Sequence, residues 1–242
     1  VATVLIASPR HTPDDLAAWE IVERTARAHA SLSLYRRHVD RARAAVAEFV
    51  ARTRCYAGVS WGKDSVVIAH MVSGLAAEVP VVWIRVEPIC NPDCSLVRDA
   101  FFQTYPSSNY HEIVSQCIRD EDGWHATGTL ERGFAEAAQR FGAAHVSGVR
   151  ADESGQRKAR MRAYGESSAS TCAPIGWWSG LDVFAYLVEH DLPIHPAYAC
   201  SLGGQLDATR IRVASLGGRR GDGHGRAEWE RRYYAVELRR LR

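Results

Sequence analysis

One lysine stands out because the chain hardly uses the residue. Of 30 basic side chains only Lys63 and Lys158 are lysine; the rest are arginine. Lys63 lies in Ser60-Trp61-Gly62-Lys63-Asp64-Ser65, between an apolar run, Tyr56–Val59, and a helical pattern, Val66, Val67, Ile68, Ala69 and Met71. A strand that turns through small residues into a helix aims free N–H groups and the positive end of the helix dipole into the turn. Gly62 lets an anion approach the backbone, the hydroxyls of Ser60 and Ser65 can donate, and Lys63 adds a full charge. The chemistry that fits is phosphate binding. The simpler alternative is a helix cap, Asp64 or Ser65, beside a surface lysine.

A second cluster follows: Gly148-Val-Arg150-Ala-Asp152-Glu153-Ser154-Gly-Gln-Arg157-Lys158-Ala-Arg160. Guanidinium forks suit phosphate or sulfate bidentately, so Arg150, Arg157 and Arg160 join the candidates; a solvated basic helix is the alternative. Glu87, closing an apolar run, is placed to meet a ribose or a metal, or is a surface acid at a strand end. Asp64 is either a cap or a partner for Mg²⁺, which commonly keeps one or two carboxylates plus phosphate.

The loop lacks the glycine spacing of the Walker motif. It resembles instead the S-G-G-K-D-S loop of the PP-loop (N-type ATP pyrophosphatase) superfamily, with Trp61 in place of the first glycine. Close backbone approach there would require the Trp61 ring to point away from the phosphates, or to wall the adenine or acceptor pocket. The Arg150 segment is similar to the G-[IVL]-R-x-x-[DE]-S-x-x-R stretch of the phosphoadenylyl sulfate (PAPS) reductase family. Pro174-Ile-Gly-Trp-Trp178, Asp182-Val-Phe-Ala-Tyr186 and Leu192-Pro-Ile-His195-Pro-Ala-Tyr198 resemble a third motif of that family. The resemblance covers roughly residues 55–198 and implies a doubly wound α/β fold, an adenine nucleotide ligand with Mg²⁺, and a homodimer.

One departure redirects the expected activity. Reductases of this family use a cysteine in a C-terminal E-C-G-[LI]-H segment, and no cysteine follows Cys200 here. The resemblance then favours cleavage of ATP to AMP and pyrophosphate, adenylating or sulfurating an unidentified acceptor. Ser60, Trp61, Gly62, Lys63, Asp64, Ser65, Glu87, Arg150, Arg157 and Arg160 would line the nucleotide, with Lys63, Arg150 and Arg157 neutralising charge in the transition state. A reductase of PAPS or adenylyl sulfate with an unconventional cysteine, and a non-catalytic nucleotide-binding subunit of a modification or defence complex, are the alternatives. Cys90-Asn-Pro-Asp-Cys94 has a spacing usable by a metal, but no second Cys pair accompanies it. Cys90, Cys94, Cys172 and Cys200 are thus open between iron–sulfur ligation, sulfur carriage and ordinary thiols.

The elements that must position these residues alternate. Thr12-Pro13-Asp14-Asp15 predicts a helix start, with Leu16, Trp19, Ile21 and Val22 on its apolar face, and a second helix is expected over 34–51. Strands are expected over 55–59, 80–86, 109–114 and 143–149, with helices from 93 to 105 and from 129 to 141, which predicts a mostly parallel sheet covered on both faces. Ser179 and Asp182 form a capping pattern for a helix over 181–190. The expected organisation is an N-terminal arm and helical pair (1–52), a nucleotide-binding core (53–200), and a Gly/Arg-rich loop with a C-terminal helix (201–242). Arg210, Arg212, Arg219, Arg220 and Arg226 could be a solvated face, a lid on the nucleotide, or a contact for phosphodiester backbone. Residues 217–225 read as a mobile loop.

The totals are those of a globular chain: 242 residues, 46% hydrophobic, 24% charged, net charge +2. Such a balance does not by itself call for nucleic acid or membrane. No window approaches a membrane span and no leader pattern is visible, so a cytoplasmic protein with reduced thiols is expected.

Overall fold

The computed structural model describes residues 4–120, 123–125, 128–217 and 226–241. Helix α1 (Pro13–Ala30) begins at a reciprocal cap. Thr12 Oγ1 accepts from the Asp15 N–H (3.2 Å) while Asp15 Oδ2 accepts from the Thr12 N–H (3.2 Å). Helix α2 (Ser33–Arg52) follows, then β1 (Cys55–Val59), α3 (Lys63–Leu75), β2 (Val81–Glu87), α4 (Asp93–Thr104) and β3 (Tyr110–Gln116). A short antiparallel pair, β4 (Ile118–Asp120) and β5 (Gly123–His125), precedes α5 (Thr129–Phe141), β6 (Ala144–Ser147), α6 (Gly155–Tyr164), β7 (Thr171–Cys172) and α7 (Gly180–Glu189). Helices α8 (Arg226–Tyr233) and α9 (Ala235–Arg240) end the described chain.

Five strands form one parallel sheet in the order β3-β2-β1-β6-β7. Side chains alternate across it with the period of two that a pleated strand imposes. Ala57, Val81 and Trp83 face the main core, whereas Tyr56, Val82 and Ile113 pack with Ala137 of α5 on the other face. Helix α3 is apolar nearly all round because it is enclosed: Val66, Val67, Ile68, Ala69, Met71 and Val72 are all buried. Each Val, Ile or Met buried this way contributes about 1.5–3 kcal/mol. The N-terminal helices join the same core. Trp19 meets Phe184 of α7 edge-on at 5.4 Å, and His29 Nε2 lies 2.9 Å from Asp182 Oδ1. The apolar arm before α1 docks beside Ile194, through Ile6 N–H to Ile194 O (3.0 Å) and Ile194 N–H to Val4 O (2.9 Å).

Several expected boundaries shift. The 143–149 strand keeps only Ala144–Ser147, because Gly148 and Val149 turn out of the ladder toward α3. β7 is not among the expected strands, since two residues carry no periodicity. The C-terminal helix breaks at Tyr234, whose backbone leaves the helical region (φ −126°, ψ 29°). Tyr234 Oη donates to buried Asp93 (2.9 Å), a contact absent from any local pattern. Residues 218–225, with Arg219 and Arg220, lie outside the described residues. No helix among the described residues is long and apolar enough to cross a membrane.

Candidate nucleotide site

The chain runs outward from β1 through β2 to β3, then returns to place β6 on the other side of β1. At such a reversal the loops beyond the two strand ends diverge and leave a crevice, the usual ligand position in open parallel sheets. The residues at those ends are Ser60–Gly62 after β1 and Gly148–Arg150 after β6.

The turn is shaped by four local features. Gly62, not Asp64 or Ser65, is the residue preceding α3, so both cap readings give way: the helix already begins at Lys63. Ser65 instead closes the loop on itself, its Oγ accepting from the Ser60 N–H (3.1 Å) and donating to Gly62 O (3.0 Å). Trp61 sits at φ +60°, a conformation that favours glycine. That backbone sends its indole into the core among Phe101, Phe102 and Tyr110, at 5.4–5.8 Å between ring centroids. The ring therefore points away from the loop and walls no pocket. Gly62 is hemmed in by Tyr198 Oη and Val213 Cγ2, each 3.2 Å from where a Cβ would stand.

Lys63 is buried. Its N–H donates to Tyr198 Oη (2.9 Å), and its Nζ lies 2.9 Å from Asp64 Oδ2 and 5.2 Å from the centre of the Tyr198 ring. Arg150, 1% exposed, arrives from β6, with Nε donating to Asp64 Oδ1 (2.5 Å) and Nη1 to the Trp178 carbonyl (3.2 Å). Gly148 makes this approach possible: a Cβ there would stand 2.9 Å from the Asp64 backbone carbonyl. Lys63 and Arg150 thus share one carboxylate between them. Burial pushes the Asp64 carboxyl up, but the two cations outweigh it and hold it below the ordinary range. For Arg150, burial acts to lower its pKa and Asp64 more than offsets this. Two enclosed cations against one anion leave a positive surplus that an anionic ligand would neutralise. Exposed Asp152, 3.6 Å from Arg150 Nη1, stands at the rim.

The other expected residues lie further out. Arg157 pairs with Glu153 one turn back on the chain. Arg160 is exposed on α6. Glu87 ends β2, half-buried, with its Oε1 3.2 Å from Arg85 Nε, in a network that continues to Glu112. Asp64 does not fit a magnesium ligand in this arrangement, because both its oxygens already face cations. Among the described residues no group of three or more His, Cys, Asp or Glu could hold a metal ion. Tyr198 is the participant that residue types alone did not single out. Its only sequence signal is its place in the Leu192–Tyr198 motif, 135 residues from the amide it receives.

The thiols differ in access. Cys94, Cys172 and Cys200 are fully buried. Contact with Cys90 and burial raise the Cys94 thiol well above its usual value, and burial pushes Cys172 and Cys200 up to about 12. Cys94 Sγ lies 3.7 Å from His195 Nε2, whose imidazole burial lowers to about 3. That imidazole is neutral at physiological pH and offers no charge to draw out a thiolate. Cys90 is half-buried, beyond the end of β2.

Comparison with known proteins identifies the family and the fold. Residues 54–219 match the family model described as phosphoadenosine phosphosulfate reductase domain. A phosphoadenosine 5′-phosphosulfate reductase from Synechococcus is 24% identical over 155 residues, 57% of this chain; the chain spans 66% of the length of that relative. The fold is similar to the crystal structure of a phosphoadenylyl-sulfate reductase from Candida auris in a phosphate complex. That likeness has a TM-score of 0.50 and 15% identity, and covers 83% of this chain and 97% of the other. A family match over the whole parallel sheet and both strand-end loops places the chain in the phosphoadenosine phosphosulfate reductase domain family, within the PP-loop superfamily.

Proposed function

We propose that the chain is an enzyme that binds an adenine nucleotide at the β1/β6 crevice, with the phosphates on Ser60–Ser65, Lys63 and Arg150. The observation that carries this reading is the buried Lys63–Asp64–Arg150 arrangement at the reversal of the sheet. A polyphosphate would take over the cations' charge, and first-turn amides of α3 would add donors. Arg157, leaving Glu153, and Arg160 would meet the outer phosphates.

The reaction supported best is cleavage of ATP between its α- and β-phosphates, with transfer of the adenylyl group to an acceptor. Lys63 and Arg150 would stabilise the negative charge that gathers on the leaving pyrophosphate, the role preorganised cations fill most effectively. Burial of Cys94, Cys172 and Cys200 with raised thiol pKa values favours this over a thiol attack on sulfate. Sulfonucleotide reduction is the second reading, favoured by the family match and by partly exposed Cys90.

Incubation of the full chain with ATP and Mg²⁺, and separately with PAPS and a dithiol, distinguishes the two. Pyrophosphate and AMP in the first reaction, abolished by Lys63→Ala, support ATP cleavage. Sulfite in the second, lost in Cys90→Ser, would overturn it in favour of reduction. Unchanged ATP affinity in Lys63→Ala would remove the site itself.

A further inference from the structure

Helix α6 gathers cations without an acid of its own. Arg27 of α1 is answered one turn away by Glu23 and Arg140 of α5 by Glu136, whereas among the described residues Arg36, Arg37 and Arg43 of α2 have no carboxylate partner, although that helix includes Asp40 and Glu48. The ten residues of α6 include four cations, Arg157, Lys158, Arg160 and Arg162, and no acid. Glu153 takes Arg157; among the described residues the other three have no carboxylate partner. Met161 is the one buried side chain of the helix, so its cations stand on both flanks.

Two exposed aromatic rings accompany this charge. Tyr164, at the end of α6, is 77% exposed and Trp177 is 41% exposed. Trp177 is fixed between two structural contacts. Its neighbour Gly176 lies against Met161, where a Cβ would be 2.9 Å from the Met161 Cε, and the carbonyl of Trp178 accepts from Arg150. The Gly176–Met161 contact sets Trp177 beside the middle of α6, and α6 begins five residues after Arg150.

We propose that this face binds single-stranded nucleic acid. Phosphodiester charge answers the unpaired cations, and open aromatic rings stack on bases, which a duplex keeps stacked on one another. An acidic protein surface would satisfy the charges but leave the rings without a purpose. Arg157 and Arg160 serve in both readings, whereas Lys158, Arg162 and Trp177 belong to this one alone, and its test is run without nucleotide.

The full chain is titrated into a fluorescein-labelled 20-nucleotide oligo(dT) and into a blunt duplex of equal length, and fluorescence anisotropy is read between 50 and 200 mM salt. Saturable binding is expected, tighter for the single strand and weakening with salt. Lys158→Glu with Arg162→Glu should weaken it at least about tenfold and flatten the salt slope. Trp177→Ala should weaken single-strand binding at least about fivefold and leave the duplex unaffected. Circular dichroism melting verifies that the variants fold. Equal affinity in the double charge variant, equal or tighter binding of the duplex, or tighter binding of a labelled poly-glutamate peptide would each overturn the proposal. A failed Lys63→Ala test in the ATP assay would leave it standing, so the two readings fail separately.

Discussion

Asp64 Oδ1 accepts from Arg150 Nε at 2.5 Å, joining the first turn of α3 to the segment beyond β6 across the reversal of the sheet. Since Asp64 also holds Lys63 Nζ, one carboxylate sets the positions of both buried cations. Replacing it with its isostere, as Asp64→Asn, leaves Lys63 without a carboxylate and Arg150 with only exposed Asp152 at the rim. The expected loss is about 3–5 kcal/mol, measured by urea unfolding. Saturating pyrophosphate should restore part of that stability in the variant, because it supplies the missing negative charge. No loss of stability would show that the cations are better solvated than their burial indicates.

Trp61 combines a conformation suited to glycine with a ring suited to the core. Removing the ring costs about 3–5 kcal/mol. The residue left behind then matters through its backbone. A non-glycine residue at positive φ is disfavoured by about 1–2 kcal/mol. Trp61→Gly should therefore melt higher than Trp61→Ala, the reverse of the order expected at an extended or helical position. Thermal unfolding of the two variants decides it.

Gly148→Ala places a methyl carbon 2.9 Å from the Asp64 carbonyl, a backbone group that cannot swing aside. Either β6 or the start of α3 must shift, at about 1–3 kcal/mol. The displacement also separates Arg150 from Asp64, so nucleotide affinity should fall along with stability. Affinity unchanged in a folded variant would mean that the crevice does not depend on this close approach.

Stability should fall at mildly acidic pH through two histidines, His195 fully buried and His70 half-buried. Burial lowers His70 to about 4 and His195 to about 3, both below the ordinary 6.5. Between those values the unfolded chain takes up protons that the folded chain refuses. Each histidine thus removes about 1.4 kcal/mol per pH unit as pH drops from 6.5 toward its folded value. Asp64, whose pKa is depressed, adds to the loss only below its ordinary value of 3.8. His195→Asn can keep the bond that Nδ1 accepts from the Ala197 N–H (3.1 Å) while removing the titration. Its stability should decline less steeply between pH 6.5 and 4, followed by denaturant titrations at each pH.

What the sequence by itself determined is the set of features expressed within a few residues. The turn from β1 into α3, the capping pairs Thr12–Asp15 and Ser179–Asp182, and the parallel α/β class follow from periodicity and short-range hydrogen bonding. The Lys63 loop and the Arg150 segment were legible because each is contiguous. Tertiary structure decided which of those residues meet. Arg150 reaches Asp64 over 86 residues and Tyr198 reaches the Lys63 amide over 135, whereas Arg157, four residues from its partner, turns to Glu153. Charge type and spacing along the chain carry no record of which carboxylate a guanidinium will face. That depends on the strand order, which brings the ends of β1 and β6 together. Trp61 shows the same division: its presence in the loop was plain, but only the packing of Phe101, Phe102 and Tyr110 around it decided that its ring belongs to the core.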